Sequence, residues 1–247
     1  MNNDKVIGIS ESARKGASEK MEKVRVKICG MRRIEDIRLI NEVKPEYCGF
    51  VFAGKLRRID DETARILKAE LNPDILAVGV FVDEPIEHVI SLCKNKIIDA
   101  VQLHGNESAE YISKLKEETG VSIIDARKIR SKEDAYEAFK TKADFLLFDA
   151  YSKAVPGGSG ETFNWLDILD GRKQFEEEFG VKADKKFFIA GGMSEANAKN
   201  VIDVLHPFAI DISSSLEGEG NFKDRNKVVS FMQKMLYLNK DAFSAVG

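Results

Sequence analysis

Cysteine is scarce in this chain: three residues, Cys29, Cys48 and Cys93, an odd number with no Cys-x-x-Cys spacing. That scarcity argues against a disulfide-stapled scaffold and against the usual zinc sites, and it points to a reducing, cytoplasmic setting. Histidine is equally sparse, with three residues, so no His and Cys set stands at metal-ligand spacing. No apolar run approaches the roughly 18 residues of a membrane span. The net charge is −3 with no dense basic block, which leaves no nucleic-acid footprint. Residues 1–22 are polar and lack the apolar middle region of a secretory signal; they read as a flexible extension ahead of a domain over 23–247.

What the chain does contain is 247 residues, 43% hydrophobic and 32% charged, with lysines and acids interleaved as on solvated helix faces. That length suits one large α/β domain, since barrels of this class run about 200–250 residues. Short apolar runs rich in Val, Ile and Phe fall at 24–29, 47–52, 75–82, 98–103, 122–127, 145–149, 186–190 and 208–213. Charged segments of helical period fit 32–43, 61–71, 86–95, 107–118, 131–140, 165–179, 194–204 and 222–237, with starts signalled at Asn106-Glu107 and Ser194-Glu195. Eight strands alternating with eight helices, and no linker dividing them, predict a single (β/α)8 TIM barrel rather than an open doubly wound sheet.

In such barrels the chemistry gathers where the strands end. The first run, Val24-Arg-Val-Lys-Ile-Cys-Gly30, puts Arg25, Lys27 and Cys29 on one face and Val24, Val26 and Ile28 on the other. A lone cysteine is often a small core residue, but a lysine two positions away on the same face favours thiolate. Arg57 and Arg58 follow the second run, Gln102 and His104 share a face of the fourth, and the sixth, Phe145-Leu-Leu-Phe-Asp149, ends on a carboxylate. The seventh ends in Gly191-Gly192 and the eighth carries Asp211, Ser213 and Ser214. Glycines let backbone N–H groups approach a ligand closely. The loops after strands seven and eight are the recurrent phosphate position of the fold. The glycine-rich loop Pro156-Gly-Gly-Ser-Gly160 reads as a cover able to close over a substrate. Asp149 as acid and Cys29 as base, across a phosphate-anchored sugar, suit a proton-shuffling isomerisation. His88 reads as solvated surface, His104 as a substrate contact or a structural hydrogen bond, and Trp165 as an anchor for the sixth helix.

Lys27-Ile-Cys-Gly-Met31, Gly49-Phe-Val-Phe52, Val78-Gly-Val-Phe-Val82, Val101-Gln-Leu-His-Gly105, Pro156-Gly-Gly-Ser-Gly-Glu-Thr-Phe163, Ala190-Gly-Gly-Met193 and Asp211-Ile-Ser-Ser214 together resemble the N-(5'-phosphoribosyl)anthranilate isomerase family, in the right order over about residues 24–236. The resemblance implies an Amadori rearrangement in tryptophan biosynthesis. The aminoaldose phosphoribosylanthranilate becomes 1-(o-carboxyphenylamino)-1-deoxyribulose 5-phosphate. It implies Cys29 as general base and Asp149 as general acid. Arg57, or Arg58 after a one-residue slip, pairs with the anthranilate carboxylate. Gly191, Gly192, Ser213 and Ser214 meet the phosphate, while Asp211 and Gln102 face the sugar. No metal or organic cofactor is implied, because the substrate nitrogen serves as electron sink. The partner is a small phosphosugar, with neither nucleic acid nor membrane, and the chain is expected to act as a monomer or homodimer.

Four features depart from the family pattern. Ser215 stands where a glycine is usual, Lys55 and Leu56 precede the arginine, the segment after Asp149 is long, and 170–186 suggests an extended helix or a surface insertion. An indole-glycerol-phosphate synthase would need a lysine acid and a glutamate base at strand ends. The related histidine-pathway isomerase would need aspartates in both roles. A catalytically silent barrel that binds a phosphate metabolite is the reading from a different class.

Overall fold

The computed structural model describes residues 22–150 and 165–244. Each apolar run alternates its faces and pairs in parallel with the next. The sheet closes as β1 (Arg25–Cys29), β2 (Tyr47–Val51), β3 (Leu76–Phe81), β4 (Ala100–Leu103), β5 (Ser122–Ile129), β6 (Phe145–Ala150), β7 (Phe187–Ala190) and β8 (Ala209–Ile212), with β8 returning to β1. The helices that follow them are α1 (Ile34–Val43), α2 (Asp61–Glu70), α3 (Ile86–Lys94), α4 (Ala109–Thr119), α5 (Lys132–Phe139), α6 (Leu166–Phe179), α7 (Ala198–Leu205) and α8 (Arg225–Ser244). The expected (β/α)8 barrel is therefore the observed fold. Among the described residues no helix is long and apolar enough to cross a membrane.

Strand alternation divides the core in two. Outward residues such as Val26, Ile28, Phe50, Phe148 and Ile210 pack under the helices in one large cluster. Inward residues, among them Val78, Ile124, Leu147 and Phe188, fill the barrel itself. Phe188 closes the lower end edge-on against Tyr47, Phe145 and Phe208, with ring centroids 5.3, 5.8 and 5.5 Å apart. A plug of large rings at the bottom leaves room for polar side chains only at the top, and it makes the interior a packed core.

The lower rim is also pinned by acids. Glu46, Asp99 and Asp144, each just before an even-numbered strand, accept the N–H of Val26, Ala77 and Ile123 on the preceding strand, at 2.9, 2.7 and 2.9 Å. Each is paired in turn with a lysine: Lys23, Lys68 and Lys116 respectively. The same device thus repeats at three of the β-strand pairs.

Helix boundaries depart from expectation where capping chemistry overrides periodicity. α4 starts at Ala109, because Ser108 is the cap and accepts the Tyr111 N–H at 3.2 Å. Glu107 instead turns back to take the N–H groups of Asp83 and Gly105. α7 starts at Ala198 rather than 194, because the side chain of Asn197 holds the preceding turn. The extended helix expected over 170–186 is α6, which ends at Phe179. Trp165 does pack against the core at its start. The reading of His88 as solvated surface is corrected: it is only 31% exposed and bridges Glu84 at 2.8 Å and Asp61 at 2.9 Å. The expected extension over 1–22 falls, but for Glu22, outside the described residues, as does the glycine-rich loop 156–160.

Candidate active site

At the C-terminal ends of the strands lies a cleft of about 410 Å³. All nine residues singled out from the sequence line it: Cys29, Arg57, Gln102, Asp149, Gly191, Gly192, Asp211, Ser213 and Ser214. Arg58 is not among them; it is exposed and its backbone bridges to Val51. A larger depression of about 940 Å³ runs beside α4 and α5 and shares His104 with the mouth, but none of those nine residues lines it.

β1 and β8 build one wall. Lys27 lies opposite Asp211 in the strand register, and their side chains form a buried ion pair of 2.8 Å. Burial opposes the charge on Lys27, but Asp211 and the neighbouring thiol outweigh it and hold its pKa above the ordinary lysine value. Lys27 does favour a thiolate at Cys29, as expected from the sequence, but burial outweighs it. Burial pushes the Cys29 thiol up, Asp211 adds to the push, and the attractions of Lys27 and Lys223 do not offset them. The resting thiol is therefore protonated at neutral pH. The second carboxylate oxygen of Asp211 is buried and meets no donor among the described residues, and Oε1 of Gln102 is in the same condition. Both residues line the cleft, although these two oxygens are themselves shielded from solvent.

β4 and β6 build the facing wall. Asp149 Oδ2 lies 3.1 Å from Nε2 of His104, whose Nδ1 is 3.3 Å from Nε2 of Gln102. An amide N–H at Nδ1 places the imidazole proton on Nε2, where it points at the carboxylate. His104 is thus fixed by hydrogen bonds at the mouth, which settles its place among the two roles left open by the sequence only as far as this structural bond.

Between the walls, Gly191 and Gly192 run left-handed at φ 80° and 65°, a conformation side chains resist. Asn197 holds that turn, donating to Gly192 O and accepting from Ser194 N, both at 2.9 Å. Ser215, instead of crowding the loop, donates to Met193 O at 2.6 Å and ties the strand-seven loop to the strand-eight loop. Ser213 donates to the carbonyl of Cys29 at 2.9 Å, which joins the loop after β8 to the end of β1.

Sequence reasoning missed Glu217 and Lys223. Glu217 takes two bonds from Arg57, Nε to Oε1 at 2.6 Å and Nη2 to Oε2 at 2.8 Å. Lys223, with a fully buried side chain, reaches Glu217 Oε1 at 3.0 Å and Ser213 O at 3.0 Å. Glu217 and Arg57 are 160 residues apart. Nothing in the local pattern of the strand-eight loop announces the pairing.

A closed barrel with a thiol, a carboxyl, an arginine and a glycine–serine cradle at one mouth defines a (β/α)8-barrel enzyme with its site at the C-terminal face. The family model described as N-(5'phosphoribosyl)anthranilate (PRA) isomerase matches residues 26–234. An N-(5'-phosphoribosyl)anthranilate isomerase of Endomicrobium trichonymphae is 43% identical over 205 residues, which is 83% of this chain and 94% of that protein. The crystal structure of phosphoribosyl anthranilate isomerase from Thermotoga maritima aligns with a TM-score of 0.73 at 33% identity, covering 88% of this chain and 99% of that one. A phosphoribosyl anthranilate isomerase in complex with reduced 1-(o-carboxyphenylamino)-1-deoxyribulose 5-phosphate aligns with the same TM-score at 32% identity, covering 87% and 99%. The chain belongs to the N-(5'-phosphoribosyl)anthranilate isomerase family and is an isomerase.

Proposed function

We propose that this chain converts N-(5-phosphoribosyl)anthranilate to 1-(o-carboxyphenylamino)-1-deoxyribulose 5-phosphate in tryptophan biosynthesis, with Asp149 as general acid and Cys29 as general base. The observation that carries the reading is that β1 and β6 bring the thiol and the carboxyl to one cleft, with the glycine pair of β7 and the serines of β8 along the same rim.

The phosphate sits on Gly191, Gly192, Ser213 and Ser214, which line one rim of the cleft. Arg57 takes the aromatic carboxylate, for which a planar guanidinium is matched in shape and charge. Asp211 and Gln102, which line the same cleft, face the ribose. Protonated Asp149 gives its proton to the ring oxygen, the C1'–O bond breaks, and the nitrogen lone pair completes a protonated Schiff base. Cys29, once ionised, removes the proton from C2'; the electron pair moves toward nitrogen and leaves an enolamine. Proton loss from the C2' hydroxyl and protonation at C1' complete the ketone. Lys27 and Lys223 favour the thiolate during this step, opposing the burial that holds the resting thiol neutral.

The anthranilate-type fluorescence of phosphoribosylanthranilate should fall at a rate proportional to enzyme. Asp149→Asn should lower kcat by about two to four decades, the range of a positioned general acid. A flat trace with folded wild-type protein favours the silent phosphate binder, and a near-wild-type Asp149→Asn removes that residue from the mechanism.

A further inference from the structure

Arg57 carries two demands that compete on paper. The proposed reaction asks its guanidinium to hold a substrate carboxylate, yet the protein already supplies a carboxylate, that of Glu217, at 2.6 and 2.8 Å. The atoms involved resolve the conflict. Glu217 occupies Nε and one hydrogen of Nη2, the side edge of the guanidinium. A guanidinium has five N–H donors in a rigid plane. The end edge, formed by Nη1 and the second hydrogen of Nη2, is a separate fork that remains for another carboxylate.

We propose that Glu217 is the positioning residue for Arg57, clamping its side edge so that the end edge is presented, already oriented, to the aromatic carboxylate of the substrate. This rests on the functional reading above.

Three further observations support a built device. Glu217 is itself held: its side chain is 5% exposed, Lys223 binds its Oε1, and Lys227 donates to its backbone carbonyl at 2.6 Å. The stem of Arg57 lies across Gly30, where φ is +92° and an added Cβ would come within 2.7 Å of Arg57 Cδ. The arginine is therefore seated between β1 and the strand-eight loop, in contrast to the exposed Arg58. The charges also sum suitably. Glu217 cancels one of the two cations Arg57 and Lys223, so a single positive charge is left for an incoming anion. A preoriented arginine loses less freedom on binding than a mobile one, and that difference appears as affinity.

The test uses two fragments of the substrate as probes, anthranilate and inorganic phosphate, each measured as a competitive inhibitor of the full-length enzyme. Glu217→Gln should weaken anthranilate about ten-fold or more, the value of a lost charge-assisted bond. Inorganic phosphate should stay within about two-fold, and KM for the full substrate should rise more than kcat falls. Glu217→Asp, which keeps the charge but is one methylene too short to reach the Arg57 side edge, should show the same pattern and guards against a Glu217→Gln protein that does not fold. If both probes weaken together, Glu217 only holds the loop and the proposal falls. If neither weakens while Arg57→Ala abolishes anthranilate binding, Arg57 needs no clamp and the proposal alone fails. If Arg57→Ala leaves anthranilate affinity intact, the carboxylate role of Arg57 fails and takes the clamp with it.

Discussion

Cys29, the proposed base, is a thiol that the resting protein keeps protonated. Its side chain faces into the barrel beside Lys27, whose charge is shared with Asp211, so burial decides the direction and the thiol titrates above its ordinary 9.0. For a base, only the deprotonated fraction of free enzyme reacts, so in Asp149→Asn, where the acid no longer titrates, the residual kcat/KM should climb close to ten-fold per pH unit from about pH 7 to about pH 8.5. A plateau reached by about pH 7 would mean a thiolate already formed. At this scale the sequence was informative about identity and silent about partners. Strand alternation put Cys29 on one face with Lys27 and Gln102 on one face with His104, because period two is a local property. The pairing of Lys27 with Asp211 spans 184 residues and that of Arg57 with Glu217 spans 160, and no local pattern encodes either. His104 could be placed at the mouth, but its bond to Asp149 depends on β4 and β6 lying across one cleft.

Elements α2 and α3 are tied by His88, which faces Asp61 from the first helix and Glu84 from the loop before the second, with Phe52 and Phe81 edge-on beneath it. Burial alone would lower its pKa, but the two carboxylates outweigh it and raise it above 6.5. A group with a raised folded pKa contributes stability that is fully present below the unfolded value and is lost as pH rises through the folded one. His88→Asn should therefore lower the melting temperature clearly at about pH 6 and far less at about pH 9. An equal loss at both values would show packing, not charge, at work. Helix ends illustrate why sequence periodicity stops short: the position of Ser108 as cap and of Asn197 as turn clamp depends on side-chain bonds that shift a boundary by two to four residues.

On the scale of the whole molecule, eight apolar runs at regular spacing leave few topologies open, and closure of β8 on β1 follows once every strand has a parallel neighbour and a covering helix. The barrel then does one functional thing: it turns strand ends distant in sequence into one cleft, with aromatic rings sealing the bottom and the Asp149 carboxyl, the Cys29 thiol and the glycine–serine rim at the top. The central claim is that Cys29 takes the proton from C2' of a sugar that Asp149 has opened. Substrate carrying deuterium at C2' tests it most directly. The account predicts a primary isotope effect on turnover in wild type, label passing into solvent water, and both turnover and label release lost in Cys29→Ala. A Cys29→Ala enzyme as fast as wild type, releasing label at the same rate, would contradict it.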